Sequence, residues 1–363
     1  MADKGQFNVG SRDGQDRLRV AIVRLSAIGD CVLTLPLLCA LRQALPEAHV
    51  AWVVEPAAAP LLVDHDALDE VVVFPRRWMR CRQGWKQCFE LRRKRFDLVI
   101  DPQGLLKSAL IGYLAGVPVR IGFDKTWARE GSHWFYSHTV RPVHRHVVDA
   151  QRELVRRVAS HIGPVEFRMP VYHEERQRMQ NWIDQFCSNS EFVVVHVGAS
   201  WASRRWLPGR WAELARMLVS ELRRPVVAVW GNTDERRWAE DVVRWAGGGV
   251  YLAPPTTLRE MAALVSLACL AVAGDSGPLH IAAAYGVPVV GLYGVTRCEV
   301  SGPYGTGHVA IQVSVPPLTA GRRRKDVRWI QKVHPQLVLG ACRRVLESRK
   351  LPGPWQLRER GAA

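Results

Sequence analysis

Seven consecutive residues, Gly274-Asp275-Ser276-Gly277-Pro278-Leu279-His280, put a carboxylate, a hydroxyl and an imidazole beside two further glycine backbones in one turn. The apolar run Leu267 to Ala273 reads as a buried parallel strand that stops at Gly274. Pro278 sits where a first helical residue belongs, because its missing N–H is not needed there. Ile281 to Ala284 continue as helix, and Gly286 closes it. The N–H groups of Ser276 and Gly277 then face whatever lies beyond the strand's carboxyl end, where open α/β sheets hold phosphate. Asp275 alone would suit a helix cap. Capping does not account for a Gly, a Pro and a His in the same turn.

Three further clusters could do chemistry. Asp30 ends Ser26-Ala27-Ile28-Gly29-Asp30 after the first predicted strand, so its carboxylate lies on a ligand-facing edge. It could take a proton from a hydroxyl, or cap a helix beginning at Cys31. Gly198-Ala199-Ser200 follows a strand ending at His196, with Arg204 and Arg205 close behind. Arginine makes paired hydrogen bonds to phosphate and stays charged, which suits a leaving diphosphate. Glu235 opens a helix after Trp230-Gly231. It could accept from ribose hydroxyls, though a role at the helix dipole is the simpler reading. His280 reads first as a packed, hydrogen-bonded histidine. No Cys, His or acidic residues show metal-ligand spacing, so no metal and no cofactor is expected.

These residues need elements to hold them. Strands are expected at Leu18 to Leu25, His49 to Val54, Glu70 to Phe74, Phe96 to Ile100 and Val119 to Gly122. Helices are expected at Cys31 to Ala44, Leu105 to Ala115 (with Lys107 in its first turn) and Val147 to Ile162, while residues 124–145 read as loop. The second half repeats the plan, with strands at Phe192 to His196, Val226 to Trp230, Leu267 to Ala273 and Val289 to Tyr293. Strand–helix alternation in both halves argues for two parallel α/β domains. The expected division is a polar lead-in over residues 1–17, a first Rossmann-like domain over 18–168, a second over 169–330, and a basic tail over 331–363. A tail helix from Pro335 to Ser348 is expected to pack back on the first domain. Neither half carries a G-x-G-x-x-G fingerprint or a P-loop, which argues against a nicotinamide enzyme or an ordinary NTPase.

Composition sets outer bounds. The 363 residues are 48% hydrophobic and 23% charged, as expected of a soluble protein with sizeable cores. No run approaches a membrane span and the first residues carry no signal core, so a cytoplasmic protein is expected. The eight scattered cysteines read as core packing. The formal charge of +16 calls for an anionic partner. Nine basic residues and one acid fall between Arg76 and Arg95, interleaved with Trp78 and Trp85.

Ser26-Ala27-Ile28-Gly29-Asp30 with Thr34-Leu35-Pro36, together with Gly274 to His280, resembles the two signature stretches of glycosyltransferase family 9, the lipopolysaccharide heptosyltransferases. Val99-Ile100-Asp101-Pro102-Gln103-Gly104-Leu105-Leu106-Lys107, Gly122-Phe123-Asp124 with Ala128-Arg129-Glu130, and Arg76-Arg77-Trp78 look like its heptosyltransferase I branch. The likeness runs from about Arg19 to Tyr304. It implies a GT-B fold, two Rossmann-like domains facing each other across a cleft. It also implies metal-independent, inverting transfer of L-glycero-D-manno-heptose from ADP-heptose to Kdo of a lipid A type acceptor. By this resemblance Asp30 is the general base. Ser200, Arg204, Arg205, Glu235, Asp275, Ser276, Gly277 and His280 would serve the donor, with Arg204 standing where relatives carry Lys. Arg76, Arg77, Lys107 and Arg129 would bind the acidic acceptor. Peripheral contact with the inner membrane follows, and no nucleic-acid partner. The alternatives are another family 9 transferase, such as one of heptosyltransferase II type or with a different nucleotide sugar, and a non-catalytic protein that binds anionic polymers or membranes.

Overall fold

The structure, a computed structural model, describes residues 17–187, 191–315 and 326–348. Residues 1–16 of the expected lead-in, and the basic residues at 322–325 and 349–350, lie outside them. The chain divides into two units at Pro170 and Val171, two residues beyond the expected boundary.

The first unit runs β1 (Arg19–Val23), α1 (Ile28–Val32), α2 (Leu35–Ala44), β2 (His49–Val54), β3 (Glu70–Val73), α3 (Arg82–Arg93) and β4 (Leu98–Asp101). It continues through α4 (Leu106–Leu114), β5 (Val119–Phe123), β6 (His138–Val140) and α5 (Val147–Val155). The strands form one sheet in the order β3-β2-β1-β4-β5-β6, every neighbour pair parallel. The expected helix from Cys31 to Ala44 is two helices. Pro36 has no N–H to give Val32, so the first helix stops there and Pro36 enters the first turn of the second. The first helix also starts at Ile28, which puts Asp30 inside it and not before it. The loop expected over 124–145 contains β6, short enough to escape a periodicity reading.

The second unit runs α6 (His173–Ile183), β7 (Val193–His196), α7 (Pro208–Leu222), β8 (Val226–Val229), α8 (Thr233–Ala246), β9 (Val250–Leu252) and α9 (Leu258–Leu267). Then come β10 (Leu270–Gly274), α10 (Gly277–Ala284), β11 (Val289–Leu292), α11 (Cys298–Ser301), β12 (Val309–Ile311) and α12 (Pro335–Ser348). Its sheet, again all parallel, has the order β12-β11-β10-β7-β8-β9. The order turns back on itself beside β10 and β7, so their carboxyl ends open a crevice for ligands.

The tail helix α12 packs on α7 of the second unit. Val338, Leu339, Cys342 and Val345 make an apolar stripe at helical spacing and join the core that holds Trp206, Trp211, Leu214 and Leu218. The approach is fixed by Val333, whose carbonyl accepts from Trp206 Nε1 at 3.0 Å and from Arg210 at 2.7 Å.

All eight cysteines are free thiols, and six are buried. Burial pushes the thiols of Cys31, Cys39 and Cys342 up to about 12, so they stay protonated core residues at neutral pH.

Candidate functional site

β10 ends at Gly274 and α10 begins at Gly277, with Pro278 in its first turn. Ser276 holds the cap position, yet its hydroxyl makes no cap bond. That Oγ instead donates to the Gly274 carbonyl at 3.0 Å and lies 3.2 Å from Nδ1 of His196. Asp275 does not cap the helix either. It is buried, 3.3 Å from His280 Nε2 and 3.3 Å from the Arg204 guanidinium, which also donates to the Asp275 carbonyl at 3.1 Å. Burial by itself would raise this carboxyl's pKa. The His280 and Arg204 contacts outweigh it and hold the group below its ordinary range. The turn is thus braced from behind, and neither Ser276 nor Asp275 caps the helix N-terminus.

Arg204 and Arg205 part company here. Arg204 ends a short 3₁₀ turn, Ala202–Arg204, lies 4.6 Å over the Trp201 ring and gives its terminal nitrogens to Asp275. Arg205 donates to the Ala199 carbonyl at 2.9 Å and stacks 4.5 Å over Trp238. Ser200 is exposed at the loop's tip.

Asn232 caps α8 by accepting from the backbone of Asp234 and Glu235, so Glu235 is not needed as the cap. The Glu235 carboxylate turns inward, accepts from the Gly231 N–H at 2.8 Å and lies 3.7 Å from His196 Nε2. Burial would lift its pKa; the imidazole, the Gly231 N–H and the Arg205 charge bring it below the ordinary value. A Cβ on Gly198 would stand 2.1 Å from the Glu235 carboxyl carbon, so a side chain there would push that carboxylate out of its present position. His196 therefore ties Ser276 to Glu235 and is a site residue that sequence reasoning passed over. Its signal was available: a histidine closing the fully apolar run Val193 to Val195.

In the first unit the candidates collect at the carboxyl edge of the sheet. Asp30 is the third residue of α1. Its Oδ2 accepts from the Ala27 N–H at 3.2 Å and its Oδ1 pairs with Arg24 at 3.0 Å, while 46% of the side chain stays exposed. Arg24 is itself buried and donates to the Pro102 carbonyl at 3.1 Å. Lys107 does not stand free, because it pairs with Glu55 at 2.8 Å and reaches Ser26 Oγ at 3.3 Å. Arg76 and Arg77 are exposed after β3, and their guanidiniums have no partner among the described residues. Arg129 is also exposed, on a segment tied by its backbone N–H to the Gly104 carbonyl at 2.9 Å. Behind them Asp101 is fully buried and accepts from Gln103 and Gly104 N–H groups and from Tyr136 Oη. It fixes the loop before α4. Among the described residues no cluster of three His, Cys, Asp or Glu could hold a metal ion.

Comparison with known proteins gives this arrangement a family context. The model of glycosyltransferase family 9 (heptosyltransferase) matches residues 85–328. The chain is similar to lipopolysaccharide heptosyltransferase 1 of Pseudomonas aeruginosa, 32% identical over 82% of this chain and 85% of that protein. Among solved structures it resembles a family 9 glycosyltransferase of Veillonella parvula, with TM-score 0.79 and 20% identity over 91% of this chain and 98% of that one. It also resembles E. coli heptosyltransferase WaaC with ADP-2-deoxy-2-fluoro heptose, with TM-score 0.69 and 25% identity over 92% of this chain and 100% of that one.

Proposed function

The chain belongs to glycosyltransferase family 9, and on that footing we propose that it moves L-glycero-D-manno-heptose from ADP-heptose to Kdo of the lipopolysaccharide inner core. It is a glycosyltransferase, and its two parallel sheets are those of the GT-B heptosyltransferase structures. The single observation that carries the reading furthest is the braced turn at β10–α10. Its buried Asp275 is held from behind by Arg204 and His280, and the Ser276 side chain at the head of its helix makes no cap bond. Such a terminus suits a diphosphate.

In this reading the second unit holds the donor. Ser276 and Gly277 meet the diphosphate, Arg205 adds fixed positive charge, Arg204 and His280 hold Asp275 and the turn from behind, and Ser200 completes the Gly198 to Ser200 loop. The ionised Glu235 accepts from the ribose hydroxyls. The first unit holds the acceptor through Arg76, Arg77 and Arg129, while Lys107 steadies the loop that carries Asp30. Asp30 takes the proton of the Kdo hydroxyl as that oxygen bonds to the anomeric carbon. The bond from that carbon to ADP breaks, its electrons passing to the diphosphate. One displacement from the opposite face inverts the anomeric centre, and fixed charges stabilise the leaving group without a metal. The acceptor's lipid places the reaction at a bilayer, so the protein works as a cytoplasmic protein touching the inner membrane. Among the described residues no helix is long and apolar enough to cross it.

Thermal melting of the protein with ADP-heptose, UDP-sugars and GDP-sugars tests the donor. Ligand at about a hundred times Kd adds roughly 2.7 kcal/mol of stability. An upward Tm shift with ADP-heptose alone is expected; an equal shift with a UDP-sugar would overturn the donor assignment. NMR of the product made in EDTA reads inversion and metal independence together.

A further inference from the structure

We propose that the outer face of α3 is the surface by which this protein docks on an anionic lipid bilayer. The proposal rests on the reading above that the acceptor is a lipid, and it names the element that meets the membrane.

α3 has two unlike faces. Gly84, Cys88 and Leu91, spaced i, i+4, i+7, turn inward, the last two into the core with Trp78. Arg82, Lys86, Phe89 and Arg93, spaced i, i+4, i+7, i+11, turn outward, with Trp85 beside them. Phe89 is 62% exposed and Trp85 41% exposed. An exposed Phe amid three cations gains nothing in water. At a bilayer surface the ring enters the acyl boundary while the cations stay with the headgroups, and long basic side chains reach outward to do so. Trp85 suits the same depth, because its ring is apolar and its Nε1 is already held by the Met79 carbonyl at 3.2 Å.

Charge selects the occupant. One acid, Glu90, lies on the helix, and it is matched by Lys86 at 3.8 Å. The remaining cations on this face, Arg82 and Arg93, have no partner among the described residues. A surface that is cationic and aromatic at once fits an anionic membrane better than it fits another copy of this basic chain. Exposed aromatics are also concentrated here. Of the exposed Trp, Phe and Tyr residues among the described residues, only Trp245 belongs to the second unit. Tyr113 lies on α4, which packs on α3, and Trp134 lies on the Ser132–Phe135 turn, which packs on α4.

The face is coupled to the acceptor arginines. A Cβ on Gly84 would come within 2.3 Å of the Trp78 carbonyl, so α3 lies directly against the turn that follows Arg76 and Arg77. Docking through α3 would thus hold those arginines at headgroup height.

Flotation of the full chain with phosphatidylethanolamine–phosphatidylglycerol vesicles, against phosphatidylcholine vesicles, tests this. Binding to the anionic vesicles alone is expected. The double variant Trp85→Ser, Phe89→Ser and the triple variant Arg82→Gln, Lys86→Gln, Arg93→Gln should each lower the partition coefficient at least about tenfold. Both should keep the parent turnover on a water-soluble, deacylated acceptor, and the triple variant should also keep the parent Tm, whereas the double variant lowers it through the lost Trp78 and Met79 contacts of Trp85. Parent-like vesicle binding by both variants would overturn the proposal, as would a parent protein that ignores anionic vesicles. A parent dimer that the double variant dissociates would also overturn it, by giving the face to a second copy. Loss of the functional reading looks different: no turnover on the deacylated acceptor by the parent protein, whatever the vesicles show.

Discussion

Asp30 sits within α1 with one carboxylate oxygen on the Ala27 N–H and the other on Arg24, so Asp30→Asn removes a base and an ion pair but keeps an acceptor for the backbone. Turnover should fall at least about a hundredfold with donor KM near the parent value, while stability falls by about 1 kcal/mol or less. Steady-state kinetics and a melting curve read both; turnover within a few-fold of the parent would leave Asp30 a structural group. Gly198→Ala drives a methyl into the Glu235 carboxylate, so donor KM should rise with a stability loss of about 1–3 kcal/mol. Asp275 carries a pH dependence. Its folded pKa lies below the unfolded one, so its contribution is complete above the unfolded carboxyl's titration and is lost as pH falls through the folded value. Asp275→Asn should therefore be less stable than the parent at neutral pH, and the gap should narrow on acidification below about pH 4. A gap independent of pH would contradict the charge assignment. The turn from Gly274 to His280 was legible in sequence because its Gly, Pro and His lie side by side. The brace behind it was not, since Arg204 and Asp275 are distant in the chain and meet only through the fold.

Elements were legible where apolar runs alternate with turns, and the strands that carry the site residues lie where those runs fall. Missed elements had physical reasons. β6 and β12 are three residues each, too short for a period to register. α3 was obscured because its outward face mixes Phe and Trp with cations, which blurs the apolar stripe. The placement of α12 depended on which surface offered a matching stripe, and α7 offers Trp211, Leu214 and Leu218. Leu339→Ala should cost about 2–4 kcal/mol and lower the melting temperature of the second unit, with ADP-heptose restoring part of it. Calorimetry would show the loss; an unchanged second-unit transition would mean α12 contributes little to that core.

Across the whole molecule the charge of +16 is unevenly answered by internal partners. Arg204 is matched by Asp275, while Arg76 and Arg77 are left to solvent. Raising salt from low ionic strength to physiological should therefore raise acceptor KM several-fold and move donor KM little, because exposed charges are screened over about 8–10 Å. Arg76→Ala with Arg77→Ala should flatten that dependence; equal salt slopes for both substrates would refute it. The position of α12 reaches beyond energetics into time. The first unit has all its strands once residue 140 is made. The second unit's core includes Val345, so it stays open along the α7 face until that residue has been synthesised. At roughly 5–20 residues per second, the stretch from Leu218 to Val345 takes about 6–25 s, during which the α7 face that holds Trp211, Leu214 and Leu218 lacks α12. The nascent chain would then carry a finished first unit beside an unfinished, sticky second one, a natural client for a chaperone that recognises exposed apolar helix faces.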